Sequence, residues 1–396
     1  METTLDRKTD SDRSALSILT GGIVSLAVAM GIGRFAFTPM MPLMLRDGII
    51  DIATGTEWAA ANYLGYLIGA LSASRFAKNT RLGMILGLVG IGITTLGIVF
   101  AGATFTWLGT IMRGAAGIFS AWVLVCTSGW CLSALAARKA SKQGSWIYTG
   151  VGLGIAVTGV LTWLGGPQSA SSLWLALGAL ACAGTVLAMI CMKDRLSTTS
   201  VPVTPAIATS APEARQGNAA LVICYGIFGF GYIIPATFLP TMARQLSSDP
   251  QIFGLTWPVF GLAATVSVAL VSRWMSGWKR THVWAVAQGA MAFGTLLPLF
   301  VNSLWSIAVS AVLVGGTFMV VTMAGLQLAR ERMPADPTRL LGRMTAGFAV
   351  GQIIGPLVVR AIGSGEIAGW DAFSWANAMA TALLAVTAVW LWRMDR

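Results

Sequence analysis

Long apolar runs separated by short polar segments make up most of this chain. Twelve runs reach the roughly 20 residues that a helix needs to cross a bilayer. Each run is continuously apolar, whereas a transmembrane strand alternates over about ten residues. We therefore predict an all-α, polytopic membrane protein with twelve transmembrane helices, at 15–45, 57–74, 82–102, 105–135, 145–166, 171–192, 218–243, 253–272, 283–301, 303–329, 343–363 and 371–392.

The composition agrees with lipid as the main solvent. Of the 396 residues, 56% are hydrophobic and only 10% are charged, whereas a soluble domain carries about a quarter charged residues. The first apolar run, 15–45, is longer than the roughly 7–15 residues of a signal-peptide core. We predict that it is an uncleaved first span.

The net charge of +11 is distributed along one side of the predicted membrane protein. All but five of the 26 Lys and Arg lie in segments on the side of the N-terminus. The exceptions are Arg46, Arg244 and Arg360 on the opposite side, and Arg34 and Arg113 within spans. The positive-inside rule then puts both termini in the cytoplasm of a cell-membrane protein. Such a basic collar faces the anionic inner leaflet, so we expect lipid and not nucleic acid as its partner.

The second half of the chain repeats features of the first. A shift of 198 residues aligns two glycines, a proline and an arginine of span one with those of span seven. Six spans per half is an even number, so both halves enter the membrane from the same side. A stretch rich in Ser, Thr, Pro and Ala separates them. We predict six-helix bundles at 1–192 and 218–396, joined by a cytoplasmic linker at 193–217.

Twelve spans, a parallel repeat of six plus six, cytoplasmic termini and a polar central linker resemble the major facilitator superfamily over essentially the whole chain. More narrowly, residues 31–44, Gly-Ile-Gly-Arg-Phe-Ala-Phe-Thr-Pro-Met-Met-Pro-Leu-Met, are similar to the first-span signature of the YbfB/YjiJ-type branch. The resemblance implies a transporter that works by alternating access. It also implies a central cavity lined by spans one, four, seven and ten.

The loop after span two departs from the superfamily pattern, which runs Gly-xxx-Asp-Arg-x-Gly-Arg-Arg. Ser74 stands in this chain where the pattern has its aspartate. The resemblance implies a cytoplasmic gate loop that contains Arg75, Lys78 and Arg81, but without the acidic member of a charge pair. The Gly-xxx-Gly-Pro pattern that drug–proton antiporters show in span five lies in span eleven here, at 351–356.

Two arginines inside spans are the main candidates for function. An arginine near the bilayer centre costs about 3 kcal/mol on insertion scales, so each needs a compensating interaction. The sequence has no Asp or Glu deep in a span, and a guanidinium suits carboxylate or phosphate. Arg34 and Arg113 are therefore either ligands of an anionic solute or donors to backbone carbonyls that hold the fold.

Other polar side chains within the spans complete the candidate solute site. Asn62 and Tyr66 share one face of span two because they are four residues apart. Tyr232 aligns with Arg34 in the repeat, and we expect the two to face each other. Gln327 and Gln352 add amide groups from the second half. For each of these residues, an interhelical hydrogen bond is the alternative role.

Glycine and proline make spans one and seven locally breakable, which suits hinges or gates; close helix packing is the alternative. The candidate hinge residues are Gly31, Gly33, Pro39, Pro42, Gly229, Gly231, Pro235 and Pro240. Glu57 lies at the outer mouth of span two and is the candidate proton carrier. An ordinary rim carboxylate is the alternative for this residue.

These features together predict a secondary active or facilitative transporter of a small, anionic organic solute. A multidrug or metabolite efflux antiporter is the nearest alternative. A membrane-embedded enzyme would need paired carboxylates, a metal cluster or an activated nucleophile near a membrane face, and the sequence offers none. A passive channel fits the twofold repeat less well. We expect a monomer without metal or cofactor.

Overall fold

Twelve long helices make up the described part of the protein in its computed structural model. The structure describes residues 15–102, 105–193, 212–246, 250–301, 303–334, 336–362 and 368–394. The helices are α1 Ala15–Arg46, α2 Ile52–Ser72, α3 Thr80–Gly97, α4 Thr106–Ala137, α5 Ser141–Leu164, α6 Ala170–Lys193, α7 Pro212–Leu246, α8 Pro250–Trp274, α9 Arg280–Phe300, α10 Leu304–Arg332, α11 Pro337–Ile362 and α12 Ala372–Arg393. Within these ranges there is no β-strand.

The predicted all-α fold is confirmed. Among the described residues, eleven helices are long and apolar enough to cross a membrane. Helix α2 has 21 residues, but Glu57 and Asn62 lower its mean hydropathy. It begins at Ile52 rather than at 57, because the Asp51 side chain accepts a hydrogen bond from the backbone N–H of Thr54 at 2.8 Å and caps the helix.

The two halves, α1–α6 and α7–α12, meet mainly where α5 packs on α8 and α2 packs on α11. Glycines permit this close approach. A Cβ on Gly152 of α5 would lie 2.5 Å from the backbone nitrogen of Thr265 on α8, and one on Gly342 of α11 would lie 2.8 Å from the carbonyl oxygen of Ala70 on α2. Small residues at such contacts let helix backbones pack closely in a membrane.

The predicted division into bundles and a linker stays a prediction. Of the linker at 193–217, residues 194–211 lie outside the described residues. Helix α7 begins at Pro212, before the predicted start of span seven at 218. Proline is favourable near a helix start because the first N–H groups of a helix have no intrahelical partner.

The two spans with hinge candidates differ in the structure. In α1, Ala27–Phe35 forms a π-helix that includes Gly31 and Gly33, and the α-helix resumes at Phe37. We call Ala27–Phe35 the π-segment. Helix α7 stays α-helical through the positions that carry its own glycines and prolines. The repeat in sequence therefore does not extend to the backbone at this point, and a hinge role stays a prediction for both helices.

The hinge glycines are also packing positions. A Cβ on Gly33 would lie 2.8 Å from Oγ of Ser120 on α4, and one on Gly31 would overlap the backbone of α5. In the second half, a Cβ on Gly231 would lie 2.6 Å from Cδ1 of Leu384. A Cβ on Gly229 would overlap a carbonyl of α11. Close packing therefore accounts for these glycines whether or not the helices bend at them.

Candidate functional site

Both intramembrane arginines are buried where α1 and α4 pack together. Arg34 is 3% exposed and lies in the π-segment, and Arg113 is 4% exposed and lies two turns into α4. Their neighbours differ, so each is described separately.

Arg113 is bonded to the backbone of α1. Its Nη1 donates to the carbonyl of Gly33 and its Nη2 to the carbonyl of Arg34, each at 3.2 Å. Its guanidinium also lies 4.7 Å from the ring centroid of Phe37. The amide of Asn62 donates to the carbonyl of Arg113 at 2.9 Å. Arg113 and Asn62 thus connect α1, α4 and α2.

The π-segment receives two further hydrogen bonds from neighbouring helices. Ser120 of α4 donates to the carbonyl of Ala29 at 2.9 Å, and Thr158 of α5 donates to the carbonyl of Gly31 at 3.4 Å. Each hydroxyl shares its hydrogen with a carbonyl of its own helix, at 2.7 and 2.8 Å respectively. Buried carbonyls need donors, and a π-helix shifts them away from the regular α-helical pattern. Side chains from α4 and α5 therefore stabilise a segment that the sequence of α1 alone does not specify.

Arg34 has side-chain partners instead, and only on part of its guanidinium. Its Nη2 donates to Oε1 of Gln352, on α11 in the other half. The ring of Tyr66 lies 3.5 Å from Cζ, in cation–π contact. Its Nε and Nη1 are buried and have no hydrogen-bond partner among the described residues, and neither has Nε2 of Gln352. Both partners of this contact between the two halves thus keep unused donors.

Carboxylates lie away from Arg34. In the described part of the chain, every Asp and Glu is at a helix end or in a loop. Glu57 is exposed, and it accepts a hydrogen bond from Thr110 at 2.8 Å. Nine residues of α2 separate it from Tyr66, which is about 13 Å along a helix. The Arg34 charge is therefore buried beside a neutral amide and aromatic rings, with no carboxylate in contact with it among the described residues, which is costly.

Aromatic rings from the second half lie against Arg34. The ring of Phe348 is 5.8 Å from Cζ of Arg34 and 6.1 Å from the ring of Tyr232. Phe35, next to Arg34 in α1, meets Phe318 of α10 edge-on at 6.2 Å. Tyr232 is therefore near Arg34 through Phe348, as one ring in a larger aromatic surface.

Gln327 lies in a different contact between the halves. Its Nε2 donates to Oγ of Ser145 on α5 at 2.9 Å. Near it, Arg330 of α10 donates to Ser133 of α4. Nine residues of α10 separate Gln327 from Phe318, about 13 Å along the helix. These bonds join the halves at the helix ends that bear most of the basic residues.

The predicted gate loop follows α2 at the same end of the molecule. Arg75 and Lys78 are exposed, and Arg81 is partly buried at the start of α3. The turn Ala73–Phe76 packs against α11 of the other half. The loop thus lies at a junction between the halves, and its role as a gate stays a prediction.

Several residues at this centre carried no signal in the sequence. Phe35, Phe318 and Phe348 are three of 16 phenylalanines in an apolar chain, and only packing distinguishes them. Ser120 and Thr158 are common in membrane helices, where their hydroxyls bond the preceding turn. Their contacts with α1 depend on the π-segment, which the sequence did not predict.

Comparison with known proteins identifies the family. Residues 26–391 match the family described as "Uncharacterised MFS-type transporter YbfB". The chain belongs to this family of transporters. It is accordingly a multi-pass membrane protein of the major facilitator superfamily, and its family and fold are those of transporters and not of enzymes.

Two individual proteins are also similar. The tetracycline resistance protein, class D, of Salmonella ordonez is 23% identical over 143 residues, which are 35% of this chain and 36% of that protein. The match thus spans about a third of the relative's length. The crystal structure of the human organic anion transporter MFSD10 (TETRAN) aligns with a TM-score of 0.73 at 13% identity, covering 96% of this chain and 99% of the other. That likeness shows the fold.

Proposed function

We propose that this transporter moves a small anionic organic solute by alternating access, and that Arg34 binds the anionic group. The observation that carries the proposal is the buried Arg34 guanidinium, whose Nε and Nη1 are unpartnered among the described residues. A carboxylate placed there would receive charge-assisted hydrogen bonds, which are about twice as strong as neutral ones. It would also neutralise a charge whose burial is otherwise costly.

Gln352 gives the proposed site a donor from each half. Its Oε1 accepts from Nη2 of Arg34, so its free Nε2 adjoins the guanidinium. An anion bound between Nη1 and Nε2 would contact α1 and α11 together. A ligand favours the conformation to which it binds more strongly, so such an anion would stabilise the state in which the halves are closed around it. Alternating access requires that state.

Polar contacts at the helix ends that bear most of the basic residues, here called the basic end, are candidates for the inner gate. Gln327 bonds Ser145 and Arg330 bonds Ser133 across the halves. We propose that these bonds do the work of the charge pair that Ser74 makes impossible in the loop after α2. Opening towards the basic end would break both of them, together with the contact between Ala73–Phe76 and α11.

We further propose the membrane and the orientation. The protein would lie as a monomer in the cell membrane, with both termini in the cytoplasm and its basic collar against anionic headgroups. The bundles at 1–192 and 218–396 would rock about the central site, connected by the linker at 193–217. Labelling of single cysteines placed in successive loops tests this orientation.

Experiment can determine both the coupling of transport to protons and its direction. Exchange or uniport needs no proton carrier, whereas proton symport would use the carboxyl group of the solute or Glu57. Efflux of a drug is the second candidate, and the partial match with a tetracycline resistance protein favours it. Uptake measured with and without an imposed pH gradient, in both directions, separates these variants.

Transport by purified protein in liposomes tests the proposal. Liposomes loaded with 3-phenylpropionate, benzoate or succinate would be assayed for counterflow of the labelled acid, with wild type and Arg34→Gln. Arg360→Gln is the matched control, because Arg360 is exposed near the C-terminal end of α11 and away from Arg34. We expect transport of at least one acid by wild type and the control, and loss in Arg34→Gln. Equal rates in all three proteins would refute the proposal.

A further inference from the structure

We propose that the transported anion is an aromatic carboxylate, whose ring stacks on the second half while its carboxylate binds Arg34. This inference rests on the proposed function and specifies the chemical class of the solute. It comes from a cluster of aromatic side chains that adjoins the arginine.

Five buried aromatic rings form this cluster, which we call the aromatic stack; the two rings that stack on Phe318 also lie 6.4 Å from each other at 50°, so the cluster is not a straight row. Its members, in order, are Trp257, Phe260, Phe318, Tyr232 and Phe348. Successive ring centroids are 5.5, 5.3, 4.9 and 6.1 Å apart, with interplanar angles of 7°, 28°, 22° and 27°. Offset stacking at about 4.5–7 Å is favourable between aromatic rings. Four helices, α7, α8, α10 and α11, thus present one continuous aromatic surface.

The packing beneath the aromatic stack fixes its position. Phe260 lies on Gly315 of α10, where a Cβ would be 2.7 Å from Cδ2 of the ring. The missing side chain lets the ring lie flat against the helix. Trp257 is buried at the far end of the stack, and its indole N–H has no hydrogen-bond partner among the described residues.

The front of the aromatic stack faces the other half of the protein. Phe35 of the π-segment meets the ring of Phe318 at 85°, so that one ring presents its edge to the other. When the halves separate, this contact with α1 is lost, and the side of Phe318 that meets Phe35 becomes available, while Phe260 and Tyr232 stay stacked on Phe318 within the second half. A flat ligand ring would fill the place of the Phe35 ring better than a chain of methylenes, because it can repeat the ring contact with Phe318.

The distance to the charge sets the shape of the ligand. Cζ of Arg34 lies 5.6 Å from the centroid of Phe35, the ring that meets Phe318. A ligand ring in the place of Phe35 and a carboxylate at Nη1 would therefore be joined by a short spacer of one or two carbons. The aromatic stack is uncharged, so a second carboxylate placed beside it would lose its hydration without gaining a partner.

Three probes of similar size test the inference by calorimetric titration of purified protein. They are 3-phenylpropionate, 3-cyclohexylpropionate and the neutral 3-phenylpropionamide. An aromatic pair contributes about 0.5–1.5 kcal/mol beyond its buried area, which converts to about 2- to 13-fold in affinity. We expect 3-phenylpropionate to bind about 2- to 13-fold tighter than the cyclohexyl acid, and the amide to bind weakest.

Variants of the aromatic stack decide whether the rings cause that preference. Phe318→Leu should abolish the preference for the phenyl acid while leaving the affinity for the cyclohexyl acid unchanged. Phe318→Tyr keeps the ring and should keep the preference, which guards against a simple folding defect. Phe293→Leu is the matched control, because Phe293 is 55% exposed on the outer face of α9.

The outcomes separate this inference from the proposed function. Equal affinities for the phenyl and cyclohexyl acids, both lost in Arg34→Gln, would overturn the aromatic class and leave the anion transporter intact. A phenyl preference that survives Phe318→Leu would also overturn it. If no acid binds in a manner that depends on Arg34, the inference and the proposed function both fail.

Discussion

Arg34 and Arg113 are two buried arginines in neighbouring helices, and their hydrogen bonds differ in kind. Arg113 donates hydrogen bonds from both of its terminal nitrogens to carbonyls of the π-segment. Arg34 bonds one neutral amide, stacks on Tyr66 and leaves two nitrogens without a partner among the described residues. Of the first arginine only Nε lacks a partner among the described residues, because backbone carbonyls accept from both terminal nitrogens, whereas the second has a terminal nitrogen free for a ligand.

The difference shows that a buried charge does not by itself identify a ligand-binding residue. Burial is unfavourable for both arginines because each charge is removed from water. Arg113 offsets that cost within the protein, so removing it should damage the fold. Arg34 offsets it only in part, so removing it should damage binding and spare the fold. Stability and binding therefore ought to separate in variants of the two residues.

The largest effect is expected for Arg34→Met. Removing one member of a buried charge pair costs about 2–5 kcal/mol, so we expect the affinity for a transported carboxylate to fall by about 30-fold or more. The free energy of unfolding without ligand should not decrease, because an incompletely paired charge has been removed. Calorimetric titration and thermal unfolding of the same sample measure both quantities.

Arg34→Lys sharpens that result. It keeps the charge but loses the planar fork, and we expect an affinity between those of wild type and Arg34→Met. If the Met variant binds the carboxylate as tightly as wild type, the proposed role of Arg34 is wrong.

Arg113→Met should have the next largest effect, on stability. Hydrogen bonds to charged groups contribute about 1.5–3 kcal/mol each, and two would be lost from the π-segment. We expect the free energy of unfolding to fall by about 3 kcal/mol or more, measured by denaturant titration in detergent. A loss of ligand affinity without any loss of stability would reverse the assignment of the two arginines.

A smaller effect is expected for Ser120→Ala, because its hydroxyl donates to Ala29 of the π-segment as well as to Ala116 in its own helix. Ser25→Ala is the matched control, since Ser25 is equally buried but bonds only the carbonyl of Gly21 in its own helix. We expect Ser120→Ala to be less stable than the control by about 1 kcal/mol. Equal stabilities would mean that this interhelical bond does not support the π-segment.

The smallest effect concerns pH and the exposed outer end of α1. The Arg46 guanidinium beside Asp47, together with the backbone N–H of Ala170, holds the pKa of the Asp47 carboxyl below its usual range. A lowered pKa in the folded state stabilises the protein above the unfolded pKa of about 4 and stops doing so as pH falls through the folded value. Asp47→Asn should therefore lower the unfolding temperature slightly at pH 7.

Thermal unfolding of wild type and Asp47→Asn between pH 7 and pH 3 checks this sign. The two curves should converge below about pH 4. A gap that widens towards acid would contradict the ionised pair with Arg46, which is 2.7 Å long.

Much of the fold followed from the sequence because lipid imposes simple rules. A spanning helix needs a long apolar run, so the twelve helices were predictable. Several helices begin earlier than predicted, among them α2, which Asp51 caps, and α11, whose first residue is Pro337. The cost of burying charge also identified Arg34 and Arg113. Their different roles were not predictable, because these depend on which carbonyls the π-segment exposes to α4.

The aromatic stack and the π-segment are the parts that the sequence did not reveal. Both arise from contacts between helices that are distant along the chain, such as Phe35 with Phe318. The repeat predicted similar behaviour for spans one and seven, yet Ser120, Thr158 and Arg113 provide donors for the first span. Backbone geometry at this site is thus a property of the assembled bundle.

A structure determined with 3-(4-bromophenyl)propionate bound would test the central claim most directly. Anomalous scattering would locate the bromine, and the density would locate the carboxylate. We predict a carboxylate within hydrogen-bonding distance of Nη1 of Arg34, a ring on the aromatic stack, and Arg113 still bonded to the carbonyls of Gly33 and Arg34. A carboxylate bound to Arg113, with Arg34 unliganded, would contradict the account.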